Sequence, residues 1–284
     1  MSSKLLAWVT SRRSQSTRAA YRRDIKRWLT FCKERKINAS NPAPAHAIAF
    51  RDDLLASMAP LTVRRVLACL CAAFSATQPT KANPFSERAL PRPSSASFSR
   101  TEALPDDAAR TMLGYLKESG DHRGLALLSI LWATGMRRGS AVSIRREGLI
   151  VRDGVTVVRH VIKGGKEVES ELPAECAGYV ASWLSVAPPS RWLFCTKDGT
   201  RPLKPEAVTK MVRGLGAKLG IVASPHMLRA ACVTTLLDIG TPLEQVRAFV
   251  HHEDPRTTLR YDRGLRGVGV AGKLADARKG KACT

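Results

Sequence analysis

The chain has 284 residues, of which 44% are hydrophobic, enough to bury one large core or two ordinary ones. Its 46 lysines and arginines against 24 acidic residues leave a net charge of +22, a self-repulsion tolerated mainly where a polyanion such as nucleic acid neutralises it. No stretch approaches twenty consecutive apolar residues, and MSSKLLAWVTSRRSQ at the amino terminus has too short an apolar run for a secretory signal; a membrane span and export are disfavoured and a cytoplasmic location is expected.

The segment STRAAYRRDIKRWLTFCKERK predicts a first helix, with Ser16 as N-cap and Tyr21, Ile25, Trp28, Leu29 and Cys32 on one face. Its other face carries Arg18, Arg22, Arg23, Lys26 and Arg27. AHAIAFRDDLLASM and LTVRRVLACLCAAFSATQ predict two more helices, the second with Val63, Val66, Leu67, Leu70 and Phe74 in a stripe and Arg64 and Arg65 among its basic residues. This first region reads as a small helical bundle with basic ridges. Any one ridge could be a merely solvated face. The total charge favours DNA contact instead, through Arg18, Arg22, Arg23, Lys26, Arg64 and Arg65. Residues 1–99 hold 17 basic against 5 acidic side chains, +12, which leaves +10 for the remainder. Both halves are thus basic, unlike a membrane binder that concentrates its charge on one helix or tail.

PRPSSASFSRTE has no apolar period and predicts a linker over 91–103, between a domain of residues 1–90 and another of 104–284. After it, LPDDAARTMLGYLKES and HRGLALLSILWATGM predict helices, the latter apolar enough to be buried. In GLIVRDGVTVVRHVIKGGKEVESELP the period changes to β, and Asp153-Gly154 and Gly164-Gly165 mark turns of a three-stranded antiparallel meander. Helical patterns resume at 174–186, 204–219, 225–239 and 242–250, and RTTLRY predicts a last short helix. Seven scattered cysteines read as free buried thiols. The expected class is mainly α, with a small three-stranded antiparallel sheet in the second domain.

Four motifs could carry chemistry, and each alone has an ordinary reading. ATGMRRGS places Arg137 just after a glycine that ends a buried helix, which a plain helix terminus would also explain. VIKGGKEV puts Lys163 and Lys166 at a hairpin turn. SPHMLRAACV puts His226 and Arg229 on one face at the positive end of a helix, a natural phosphate site but also a common capping pattern. Tyr261, in DPRTTLRYDRG, follows His252 by nine residues. A phenol of ordinary pKa near 10 is a poor nucleophile unless other groups take its proton and neutralise the charge it creates.

The ordered set is far more specific than its parts: over essentially its whole length the chain resembles the tyrosine recombinase (phage integrase) family. STRAAYRRDIKRWLTFCKER is similar to that family's core-binding domain, ATGMR to its first arginine box and DPRTTLRYDRG to its nucleophile segment. The resemblance implies a two-domain DNA clamp. Arg137 and Arg229 would hold the scissile phosphate, Lys163 would be the acid for the leaving 5′-oxygen, and His226 would accept the tyrosine proton. His252 would donate a further hydrogen bond to the phosphate and Tyr261 would be the nucleophile. Lys163 is preferred to Lys166 because the family's turn places its catalytic lysine first.

Three departures stand out. His251 replaces a customary glycine before the second histidine, Ser140 replaces an acid three positions after the first arginine, and Ile162 replaces a glycine before the turn lysine.

The implied activity is site-specific DNA cleavage and rejoining through a 3′-phosphotyrosyl bond, without ATP. No carboxylate cluster or Cys/His set is spaced for Mg²⁺ or Zn²⁺, so no metal or cofactor is expected. The implied partners are double-stranded DNA and three further copies in a tetramer on paired sites, with residues 262–284 docking on a neighbour. The length implies the simpler Xer-like or Cre-like organisation. A type IB topoisomerase would share the chemistry, and an inactive DNA-binding or architectural relative would share the fold.

Overall fold

Four segments in the first ninety residues form helices. In the computed structural model, which describes residues 2–12, 14–94, 102–259 and 261, they are α1 (Ser2–Thr10), α2 (Gln15–Glu34), α3 (Pro44–Ser57) and α4 (Pro60–Thr77). They belong to the first of two compact units, Met1–Ala96 and Ser97–Thr284.

The cap of α2 is Ser14, whose hydroxyl accepts the Thr17 N–H at 3.4 Å; the expected Ser16 lies inside the helix. Proline at the first turn opens α3 and α4, where a missing N–H costs nothing. The core is aromatic. Trp28 is fully buried with its ring edge-on to Phe50 at 5.2 Å and Phe85 at 5.0 Å, and its indole N–H donates to the Ala39 carbonyl.

Helix α4 is long and apolar enough to cross a membrane by length and composition. Its Val63, Val66, Leu67, Leu70 and Phe74 are instead buried in this core. The sequence pattern did not mark α1. Nine residues are too few for a stable isolated helix, but Leu5 and Val9 are buried in the shared core, and Trp8 stacks on Tyr21 of α2 at 5.3 Å.

The second unit is organised around α6 (His122–Thr134), which follows α5 (Asp106–Glu118). Asp121 caps α6 by accepting the Gly124 N–H at 2.8 Å, and every residue from Gly124 to Leu131 is buried. Next come α7 (Arg138–Ala141), a 3₁₀ turn (Arg146–Gly148), and strands β1 (Leu149–Arg152), β2 (Val155–Val161) and β3 (Glu167–Leu172). The sheet is antiparallel in the order β1-β2-β3. Alternation sends Val158, His160, Ser170 and Leu172 inward, while Arg152 and Arg159 both pair with Glu169 on the outer face, at 2.9 and 3.1 Å. The turns have positive φ at Asp153, Gly154, Gly164 and Gly165, as tight hairpins require.

Helices α8 (Ala174–Val186), α9 (Pro205–Lys218), α10 (Pro225–Asp238), α11 (Leu243–Phe249) and α12 (Pro255–Leu259) complete the unit. The last helix stops short of Tyr261, which lies in a turn with its N–H on the Thr258 carbonyl. The six cysteines among the described residues are free thiols. Of the expected linker only residues 91–94, 102 and 103 are described, and residues 262–284 lie outside the described set.

Candidate active site

Six residues distant in sequence converge because four elements of the second unit end in one place. Helix α6 terminates at Gly135, with φ of 60°, and a Cβ there would come within 3.0 Å of Cys232 Sγ and 3.3 Å of Val250 Cγ1. Glycine is needed both for the turn and for the close approach of α10. Two residues on, Arg137 is the N-cap of α7. Ser224 caps α10 by accepting the Met227 N–H at 3.3 Å, and the first turns of that helix carry His226 and Arg229 on one face. The β2–β3 turn supplies Lys163.

Arg137, Lys163, His226 and Arg229 line a single cleft of about 680 Å³, with Arg138, Ser140, Ser143, Thr209, Arg213 and Ser224 among its other walls. Lys163 faces this cleft and Lys166 is absent from its lining. His252 and Tyr261 do not line it but lie within the electrostatic reach of Arg229. Both are buried, and their rings lie parallel, 6° apart, with centroids separated by 6.2 Å. Tyr261 is packed in a small apolar cluster with Ala230, Cys232, Val233, Val246 and Val250.

The charges are held by main-chain carbonyls. Arg229, 3% exposed, donates through Nη1 to the Gly135 carbonyl and through Nη2 to that of Val250 at 2.8 Å; Arg137 donates to that of His251 at 3.5 Å. A carbonyl satisfies N–H groups without cancelling the charge, so the cleft stays electropositive. Burial and the nearby Arg137 lower the Arg229 pKa to about 10, and Tyr261 acts in the opposite direction. That value still leaves the guanidinium charged at neutral pH.

Burial, then Arg229, Arg137 and Arg138, hold His226 below its ordinary value. Burial, then Arg229 and Arg137, push His252 down to about 3, and its Nδ1 lies 2.9 Å from the Thr258 hydroxyl. Both imidazoles are therefore neutral at pH 7, able to accept a proton or donate a single hydrogen bond.

The sequence model of the phage integrase family matches residues 102–265. The chain belongs to the phage integrase family. Tyrosine recombinase XerC of Methylobacterium nodulans is 30% identical over 291 aligned residues, covering 90% of this chain and 86% of that protein. The chain spans about half the length of the curated relatives that match it first. Two solved structures share the fold: XerH site-specific recombinase bound to palindromic difH substrate (TM-score 0.75, 18% identity, 91% of this chain and 80% of that one) and a lambda integrase tetramer bound to a Holliday junction (TM-score 0.70, 15% identity, 93% and 76%).

Against the phage integrase pattern, the three departures have physical explanations. Ile162 is not among the positive-φ residues of the described chain, and its N–H donates to the Lys166 carbonyl at 2.9 Å, so a side chain is tolerated before the turn lysine. His251 has φ of 51°, the left-handed conformation that favours glycine. Ser140 is buried beside the cleft, where Arg137 and Arg229 are met by carbonyls rather than by an acid.

The sequence reading missed Ser143, whose hydroxyl accepts the Val161 N–H at 3.0 Å and donates to the Ser140 carbonyl. It fastens the Arg137 segment to β2. A Ser-x-x-Ser after an arginine box carries no recognisable sequence signal.

In the first unit the six expected DNA contacts separate into two groups. Arg22, Arg23 and Lys26 are exposed along α2. Arg65 instead pairs through both Nη atoms with fully buried Asp24, which also receives Arg27 at 3.1 Å. Arg64 donates to the Pro93 carbonyl at 2.9 Å and Arg18 to that of Arg12 at 2.6 Å. These three arginines have work inside the bundle.

Proposed function

We propose that this protein is a site-specific DNA recombinase that cuts and rejoins duplex DNA through Tyr261. The observation that carries the reading is the convergence of Arg137, Lys163, His226 and Arg229 on one cleft, with His252 and Tyr261 paired ring to ring within the electrostatic reach of Arg229. A phosphodiester carries one negative charge, and more develops on its equatorial oxygens in the pentavalent transition state. Two fixed guanidiniums suit that geometry because each is planar, bidentate and permanently charged.

In this mechanism Tyr261 Oη attacks phosphorus while neutral His226 accepts its proton. Lys163 protonates the 5′-oxygen as the P–O bond breaks. His252 donates one hydrogen bond to a non-bridging oxygen. The products are a 3′-phosphotyrosyl bond and a free 5′-hydroxyl. Attack by the 5′-hydroxyl of another strand reverses the step without ATP, because the ester's energy is conserved. Tyr261 must leave its apolar cluster to reach the phosphate, and a late segment joined to α11 by a short loop can do so without disturbing the scaffold.

Residues 1–90 are assigned as the core-binding domain, with Arg22, Arg23 and Lys26 as contacts to the phosphate backbone. Residues 104–284 are assigned as the catalytic domain. Strand exchange between paired sites calls for four copies, and the XerC likeness and the tetrameric lambda integrase neighbour support that assembly and a cytoplasmic setting with the DNA. Nothing in the described residues favours supercoil relaxation or binding without cleavage.

The test is covalent capture. A duplex recovered by binding selection from random sequence is nicked so that the 5′-hydroxyl fragment departs after cleavage. Wild type is expected to form a protein–DNA adduct and Tyr261→Phe to form none. Equal adduct from both would overturn the assignment.

A further inference from the structure

The side chain of His251 packs against the sheet. Its Nε2 lies 3.2 Å from Ser170 Oγ on β3, and the same hydroxyl lies 2.9 Å from His160 Nε2 on β2. The two imidazoles meet edge-to-face, with centroids 5.5 Å apart. Ser170 and His160 are 8% and 3% exposed, so water is not the ready substitute for either partner. With one proton and two lone pairs, the hydroxyl can donate to one Nε2 while accepting from the other, so a single group ties the two rings together.

Three catalytic parts depend on where His251 sits. Its carbonyl is the acceptor for Arg137, the next residue is His252, and from His160 near the end of β2 the chain passes through Val161 and Ile162 to Lys163 in the turn. The left-handed backbone at 251 ends α11, with the His251 N–H on the Ala248 carbonyl and the His252 N–H on that of Arg247, and the imidazole adds to this turn the contact with Ser170.

We infer that His251 is a positioning residue: through Ser170 and His160 it docks the segment bearing His252 and the Arg137 acceptor onto the hairpin bearing Lys163, setting the distance between the general acid and the phosphate clamp. The inference rests on the recombinase reading above. Small misplacement of catalytic groups lowers the chemical step while leaving the binding contacts in place.

The experiment uses the full chain and the same selected, nicked duplex, measuring the single-turnover rate of adduct formation, duplex affinity and melting temperature. Ser170→Ala is expected to slow adduct formation about tenfold or more with affinity at the wild-type value and a lowered melting temperature, because two buried imidazoles lose their partner, and Ser170→Thr, which keeps the hydroxyl, to restore the rate. His251→Asn tolerates the left-handed backbone but cannot reach as an imidazole does; it is expected to show the same slowing and serves where Ser170→Ala does not fold.

Wild-type rates in Ser170→Ala or His251→Asn would overturn the inference, as would a threonine variant that stays slow, or a loss of rate matched by equal loss of affinity. If wild type itself forms no adduct, the recombinase reading fails and this inference with it. If wild type forms its Tyr261 adduct and the variants match it, only the positioning role fails.

Discussion

The two units use arginine in opposite ways. In the first, Arg65 and Arg27 converge on the buried carboxylate of Asp24, so their charge is spent within the bundle. In the second, Arg229 and Arg137 are held by the carbonyls of Gly135, Val250 and His251, so the hydrogen bonds fix direction while the charge remains for a ligand. A guanidinium's role follows from its acceptor: a carboxylate makes it structural, whereas carbonyls leave it able to clamp a phosphate.

The sharpest way to break this contrast is Arg229→Lys, which keeps a positive charge but cannot span both carbonyls and a phosphate. Adduct formation is expected to fall about 10²–10³-fold or more, while duplex affinity, carried mainly by other basic residues, falls little. Matched losses of cleavage and affinity would show that the charge alone matters.

Acidification tests the carbonyl-lined region next. Burial holds His252 near 3 and His160 near 4, against an ordinary 6.5. Below pH 6.5 the unfolded chain therefore binds more protons than the folded one, and stability falls as pH falls, levelling only near the folded-state values. Each imidazole is expected to cost about 2 kcal/mol by pH 5. A melting temperature unchanged between pH 7 and pH 5 would contradict this. His226, also held below 6.5, is expected to place the acid limb of the cleavage profile below that pH.

In the first unit, Asp24→Asn is expected to lower stability by about 1–2 kcal/mol, a value moderated because Arg65 and Arg27 are partly exposed. The rate of cleavage from bound complex should not change, and thermal melts with single-turnover kinetics check both. The smallest effect is expected from Lys26→Ala, an exposed residue on α2: a modest, sequence-independent loss of affinity and a salt slope smaller by about one. Arg65→Ala should lose stability instead, and the reverse result for the two would erase the distinction between spent and available charge.

Much of this was legible in the chain. Helical patterns placed α2 to α6 and α8 to α11 within a few residues: α2 and α4 each bury one stripe in a core, whereas α6 is apolar enough to be buried all round. The two turn dipeptides fixed the meander, because positive φ selects glycine. Where packing rather than pattern decides, the reading slipped. The short α1 exists because Leu5 and Val9 find a shared core, and Phe31 is buried while Leu29 of the expected stripe is only partly so. The cap of α2 moved to Ser14 because local hydroxyl geometry, not residue type, chooses among neighbouring serines.

What the sequence by itself determined is the order of the candidate catalytic groups, Arg137, Lys163, His226, Arg229, His252 and Tyr261, through which the chain resembles the phage integrase family. Their state is tertiary. Only the fold could show that Arg137 and Arg229 lean on carbonyls, that Arg65 is occupied by Asp24, that Tyr261 rests in an apolar cluster, and that His251 packs against the sheet. Each of these depends on which acceptor lies within about 3 Å, a distance that residues far apart in the chain acquire only when the core has packed.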